Sequence, residues 1–224
     1  MILLNPGPTN TSFFVKLAQW LGSDVCHRTD KFSEDLQETK KQILKIFSKK
    51  AKMEDWEVSI IAGSGTVAME AMISSLAPPG ISLLVSGKYG SRALEIMSAY
   101  KILNQQIWSN TIFEIESSPS VENLYFVHNE TSSGETFPID YMSAKFPNAK
   151  FFIDATSSFG SSVYENHLDK INAISFCSNK CLQSTPGLGI VIWKKSLAVK
   201  NRSYYSNLSK YTGNNMPFTL PTQS

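Results

Sequence analysis

Six short apolar runs recur along the 224-residue chain: VSIIA (58–62), ISLLVS (81–86), NLYFVHN (123–129), KFFIDA (150–155), AISFCS (173–178) and GIVIW (189–193). Each is short for a helix and rich in β-branched or aromatic residues, so each reads as a strand buried on both faces. Helix-period segments lie between them, among them TVAMEAMISSL (66–76) and Tyr89 to Tyr100. Strands that alternate with helices make a mostly parallel sheet flanked by helices, the α/β class. Ahead of the first strand, SEDLQETKKQILKIFSKK (33–50) has early acids and late lysines, the charge order that suits a helix dipole. Its lysine-rich end reads as a solvated face.

A chain that is 42% hydrophobic and 18% charged can bury a substantial core. Its 21 basic and 19 acidic residues give a net charge of +2, which supplies no footprint for nucleic acid or a membrane surface. No apolar stretch is long enough to span a bilayer, and MILLNPGPTNTS has no basic segment leading an apolar run, so no leader peptide is read there. The three cysteines, Cys26, Cys177 and Cys181, form no CxxC pair and have no histidine at zinc spacing. They fit a reducing, cytoplasmic setting without a metal site. After Lys200 the chain turns polar and ends at MPFTLPTQS without a closing element, which reads as a chain cut short.

Lys180 stands between two of the apolar runs, where an ammonium needs either a partner or a chemical task. Asp154 closes the KFFIDA strand at the carboxyl edge, where open α/β sheets place ligands. It could hold a cation there, or simply cap the following turn. AGSGTVAME (62–70) runs from a strand into a helix, so the N–H groups near Gly65 and Thr66 could receive a phosphate, or Ser64 could cap that helix in the ordinary way. It has no Gly-Lys-Ser/Thr ending and is not a P-loop. An acid, a lysine and a phosphate cradle together suit pyridoxal 5'-phosphate. Its aldehyde takes a lysine, its ring nitrogen needs a carboxylate and its phosphate needs fixed donors.

The ordered series NPGPTN, CHR, GSGTVAMEA, GKYGSR, HNETSSG, DATSSFG and SNK resembles the class V pyridoxal-phosphate aminotransferases, the group that includes alanine–glyoxylate aminotransferase. The resemblance covers nearly the whole chain. It implies the large domain of a fold type I transferase over residues 31–224, ending before a smaller carboxyl-terminal domain, with residues 1–30 as an amino-terminal substrate-loop segment. It makes Lys180 the Schiff-base lysine and catalytic base, and Asp154 the partner of the pyridine nitrogen. Gly65, Thr66 and Asn179 become phosphate contacts, Tyr89 the stacked aromatic ring, and Thr131 a hydroxyl near the phenolic oxygen. His128 and Glu130 support that loop.

Pro8, Thr9 and Asn10 match a loop lining the substrate pocket, and His27 and Arg28 match a recurrent pair without a role. PFTLPT matches a further family segment, and the resemblance implies a homodimer with shared sites, in which Thr219 reaches the partner's cofactor phosphate. Within the family, SNKCLQSTPGLGIVI and GKYGSR are most similar to the branch that exchanges an amino group between 2-aminoethylphosphonate and pyruvate. Alanine–glyoxylate or serine–pyruvate exchange is the near alternative, and a catalytically weak cofactor-binding remnant the more distant one.

Overall fold

The computed structural model describes residues 7, 9–22 and 25–215. In chain order the elements are α1 (Phe13–Leu21), α2 (Asp30–Phe47), β1 (Trp56–Ala62), α3 (Gly65–Leu76), β2 (Ile81–Val85), α4 (Lys88–Ala99), β3 (Asn104–Trp108), β4 (Asn123–Val127), β5 (Asn129–Glu130), β6 (Glu135–Thr136), α5 (Ile139–Lys145), β7 (Lys150–Asp154), β8 (Ile171–Cys177) and β9 (Leu188–Lys194). Seven strands form one sheet in the order β1-β9-β8-β7-β4-β2-β3, and β5 pairs with β6 in a separate ladder. Only β9 runs antiparallel to its neighbours, β1 and β8; the β8-β7, β7-β4, β4-β2 and β2-β3 pairs are all parallel.

All six expected strands are present. Alternate residues of the same strand serve different cores: Phe151 packs with Leu36, Phe47 and Phe126 on one face, while Phe152 packs with Met72, Leu83 and Tyr125 on the other. Burial on both faces is the reason these runs read as continuously apolar. The strand β3 was not expected. Its sequence NQQIW is half polar because it pairs only with β2 at the sheet edge, where water covers one side.

Two expectations about α2 are corrected. The helix begins at Asp30 and ends at Phe47, because Thr29 caps it: its hydroxyl accepts the Phe32 N–H at 3.3 Å. The lysine-rich end is not wholly solvated either. Lys40 falls one turn after Leu36 and one before Leu44, inside the apolar stripe, and is fully buried. Its Nζ lies 3.2 Å from Glu57 Oε1 and donates to the carbonyls of Gly213 at 2.6 Å and Tyr211 at 3.3 Å.

Candidate active site

The carboxyl ends of β1, β7 and β8 meet on one edge of the sheet, and the chain places a different polar group just beyond each. Asp154 is the last residue of β7 and is 2% exposed. Its Oδ1 accepts the Thr156 backbone N–H at 2.9 Å and the Thr156 hydroxyl at 2.5 Å, a local turn bond of the kind short acids make. Among the described residues no donor reaches its second oxygen. Burial pushes the carboxyl up to about 6, against the two bonds from Thr156. Lys180 follows the end of β8 by three residues and lines the same cleft as Asp154.

The two helices that start on this edge have opposite N-termini. At α4 the position is filled: Glu130 Oε2 accepts the Tyr89 and Gly90 N–H groups at 3.1 Å each, and Ser132 Oγ accepts that of Lys88 at 2.9 Å. At α3 the Ser64 side chain makes no capping bond, which excludes the ordinary cap there. No acceptor among the described residues meets the Gly65 and Thr66 N–H groups. A Cβ on Gly65 would stand 3.0 Å from Thr156 Cγ2, so the missing side chain lets this helix start lie against the Asp154 turn.

The cleft, about 510 Å³ with the solvent at its open mouth included, brings together Gly65, Thr66, Tyr89, Asp154, Asn179 and Lys180. Thr131 lines its narrower extension beside Tyr89 and Lys180. Two further residues belong here. Arg92 donates from Nη1 to Thr66 Oγ1 at 3.2 Å and its guanidinium lies 5.0 Å from the centre of the Tyr89 ring. It was legible, since residues three apart on a helix share a face and Tyr89 was already placed at the site. Thr156, which clamps Asp154, was signalled by the DAT spacing alone.

Both Glu130 and His128 act as supports. Glu130 is fully buried and also accepts from Ser132, while His128 Nδ1 sits 2.8 Å from Ser158 Oγ. Thr9 donates its hydroxyl to the carbonyl of Lys180 at 2.9 Å, and Asn10 is exposed. His27 is half-buried and Arg28 exposed in the turn before α2. Pro8 and Thr219 lie outside the described residues. A larger hollow of about 1080 Å³ lies at the opposite end of β1, between Trp56, Asp169 and Lys194. Two of its lysines are already engaged: Lys194 donates to the Asp169 carbonyl at 3.3 Å and Lys195 to that of Met53 at 2.6 Å.

No family model matches the chain. Among curated proteins it is 29% identical over 222 residues to a 2-aminoethylphosphonate–pyruvate transaminase of Bacteroides fragilis, covering 93% of this chain and 60% of that one. The like-named protein of Bacillus cereus is 30% identical over 221 residues, with the same coverage. The chain thus spans about 60% of the length of these relatives. Among solved structures, an aspartate aminotransferase of subgroup IV from Thermus thermophilus superposes with a TM-score of 0.83 at 23% identity, over 100% of this chain and 67% of that one. A PLP-bound phosphoserine aminotransferase from Trichomonas vaginalis superposes at 0.75 with 20% identity, over 97% and 70%. The resemblance read from the seven motifs is borne out: the chain has the fold of these aminotransferases and is similar in sequence to 2-aminoethylphosphonate–pyruvate transaminases over 93% of its length.

Proposed function

We propose that this chain holds pyridoxal 5'-phosphate and transfers an amino group between 2-aminoethylphosphonate and pyruvate, with phosphonoacetaldehyde and alanine as products. The observation that carries the reading is the convergence, on one cleft, of a lysine, a buried carboxylate with an unclaimed oxygen, and an uncapped helix start. These are the three complements of an aldehyde, a protonated ring nitrogen and a phosphate. When bound, the cofactor supplies that aldehyde together with a ring that accepts electrons from the substrate's carbon.

The chain's residues divide the remaining work. Asp154 holds the ring nitrogen's proton through its free oxygen, while Thr156 keeps the carboxylate oriented. Gly65, Thr66 and Asn179 would hold the phosphate, and Tyr89 and Thr131 would contact the ring from the walls of the cleft. Lys180 would hold the aldehyde end of the cofactor and would serve as the general base for the proton on the substrate carbon.

Pro8, Thr9 and Asn10 face the substrate in this reading, within an amino-terminal segment of residues 1–30 that precedes a cofactor-binding domain over residues 31–224. We place the chain in a cytoplasmic homodimer with shared sites, Thr219 serving the partner's phosphate. The unpaired thiols of Cys26, Cys177 and Cys181 support the reducing compartment.

One experiment tests the whole reading. Protein loaded with pyridoxal phosphate is reduced with borohydride and peptide-mapped, and unreduced samples are mixed with 2-aminoethylphosphonate, alanine or serine. The expected result is a single adduct at Lys180 and loss of the visible band with 2-aminoethylphosphonate. Labelling of another lysine would overturn the site. Bleaching by alanine and serine but not by the phosphonate would replace the substrate with the alanine–glyoxylate or serine–pyruvate pair.

A further inference from the structure

We propose that Gly7 is a positioning residue for the Lys180 amine, and that the amino-terminal segment is laid along the lysine's turn to fix it. The proposal rests on the reading of Lys180 as the residue that takes the cofactor. Among the described residues, the Thr9 N–H donates to the Asn179 carbonyl at 3.3 Å, the Thr9 hydroxyl to the Lys180 carbonyl at 2.9 Å and more weakly to that of Asn179 at 3.5 Å, and the Ser12 N–H to the Gln183 carbonyl at 3.3 Å. The turn beneath is closed by Gln183 N–H on the Lys180 carbonyl at 2.9 Å and holds Gln183 at a φ of 56°, in the left-handed region. The lysine's backbone is therefore held from two sides.

At the head of the segment the contact passes from backbone to side chain. A Cβ built on Gly7 would stand 2.1 Å from Lys180 Nζ, 2.5 Å from Cε and 2.4 Å from Cδ, with Gly7 at a φ of 137°. All three atoms are at the far end of a flexible side chain, so an added methyl moves the amine, and at this φ it also strains the backbone of residue 7. The amine reacts by adding to the aldehyde carbon of pyridoxal phosphate, with water leaving. A misplacement of about 1 Å at a reacting atom slows such a step by up to about 10²-fold. The glycine is thus required at this position by the lysine's amine as well as by its own backbone conformation.

The test compares Gly7→Ala with Gly80→Ala, a glycine also at positive φ (76°) but with nothing within 4 Å of its would-be Cβ. Two rates are measured. One is the borohydride-trapped attachment of pyridoxal phosphate at Lys180. The other is trinitrobenzenesulfonate labelling of Lys180 in cofactor-free protein, read by peptide mass spectrometry against the other lysines.

Gly7→Ala is expected to melt below Gly80→Ala because of its φ and its contact, to attach the cofactor at least about tenfold more slowly, and to label several-fold faster at Lys180 as the amine is pushed into the cleft. Gly80→Ala should match the wild type in both rates. If Gly7→Ala labels and attaches like Gly80→Ala, the proposal is overturned. A wild-type chain that attaches no cofactor, while its Lys180 labelling still responds to Gly7→Ala, would overturn the cofactor reading and leave the contact standing. Should Gly7→Ala fail to fold, Thr9→Val, which removes the hydroxyl bond to the lysine carbonyl, must shift labelling in the same direction; no shift overturns the proposal.

Discussion

Lys40 and Lys180 stand at opposite ends of the sheet and solve the same physical problem in different ways. Lys40, against the first residues of β1, is fully buried with its ammonium on the Glu57 carboxylate and two carbonyls, so every proton has an acceptor. Burial lowers its pKa and Glu57 works against that shift. Lys180, beyond the end of β8, is half-buried at a cleft whose nearby carboxylate, Asp154, keeps an oxygen unclaimed. The first arrangement is closed and the second is left open. The two lysines differ in what surrounds them: buried acceptors close around Lys40, whereas Lys180 lines a cleft beside the Asp154 carboxylate.

The largest effect that separates them is a crossed pair of substitutions. Lys180→Met is expected to abolish cofactor attachment while leaving the unfolding midpoint nearly unchanged, since this side chain lines a cavity. Lys40→Met should leave attachment intact in whatever fraction stays folded, yet destabilise the chain by about 3–5 kcal/mol, because Glu57 is left as a buried charge without its cation. Urea unfolding and adduct mapping on both variants check this. A Lys40→Met protein as stable as the wild type would show that the pair is dispensable.

A smaller effect is read from pH. Between about pH 4 and 6 the folded, cofactor-free protein keeps a proton on Asp154 that the unfolded chain has released, so stability is lost as pH rises through that window. His128 slopes the other way: burial pulls its imidazole down to about 4, so the unfolded chain takes up the proton first and stability is lost as pH falls from the usual histidine range toward 4. Each contribution is on the order of 3 kcal/mol, and the two oppose. The wild type should therefore be nearly flat from pH 4 to 6, with stability rising with pH in Asp154→Asn and falling with pH in His128→Asn. An Asp154→Asn profile that matches the wild type would mean the carboxyl ionises in the fold without strain, and the open site would lose its distinguishing feature.

Much of the open site was legible because its residues sit at strand ends, where the periodic text breaks off: Asp154 after KFFI, Lys180 after AISFC, and Gly65 after SIIA. Those breaks are local signals. The closed site was not legible, since Lys40 is buried through Glu57, 17 positions away, and Gly213, 173 positions away, and no short window holds all three. The same separation hid the approach of Gly7 to Lys180. The strand β3 escaped for another reason: an edge strand with polar side chains carries neither the apolar run nor the alternation that marks a strand.

The smallest expected effect decides what the closed site is for. Gly213 is held by the Lys40 ammonium at its carbonyl, by Glu57 Oε2 at its N–H at 3.2 Å, and by Gln37 Nε2, which donates to the same carbonyl at 2.9 Å. Two accounts of the Lys40–Glu57 pair follow: it neutralises a charge that α2 happens to bury, or it fastens residues 211–213 to the helix and β1. Gln37→Ala removes one fastening and no charge. On the first account it costs within about 0.5–1.5 kcal/mol, the value of one hydrogen bond at a partly wet position, and the chain's trypsin cleavage at Lys210 stays slow. A loss as large as that of Lys40→Met, with cleavage at Lys210 accelerated in both variants, would show that fastening the chain accounts for the pair. We expect the small value, because the Gly213 carbonyl keeps its bond to the ammonium when Gln37 is gone.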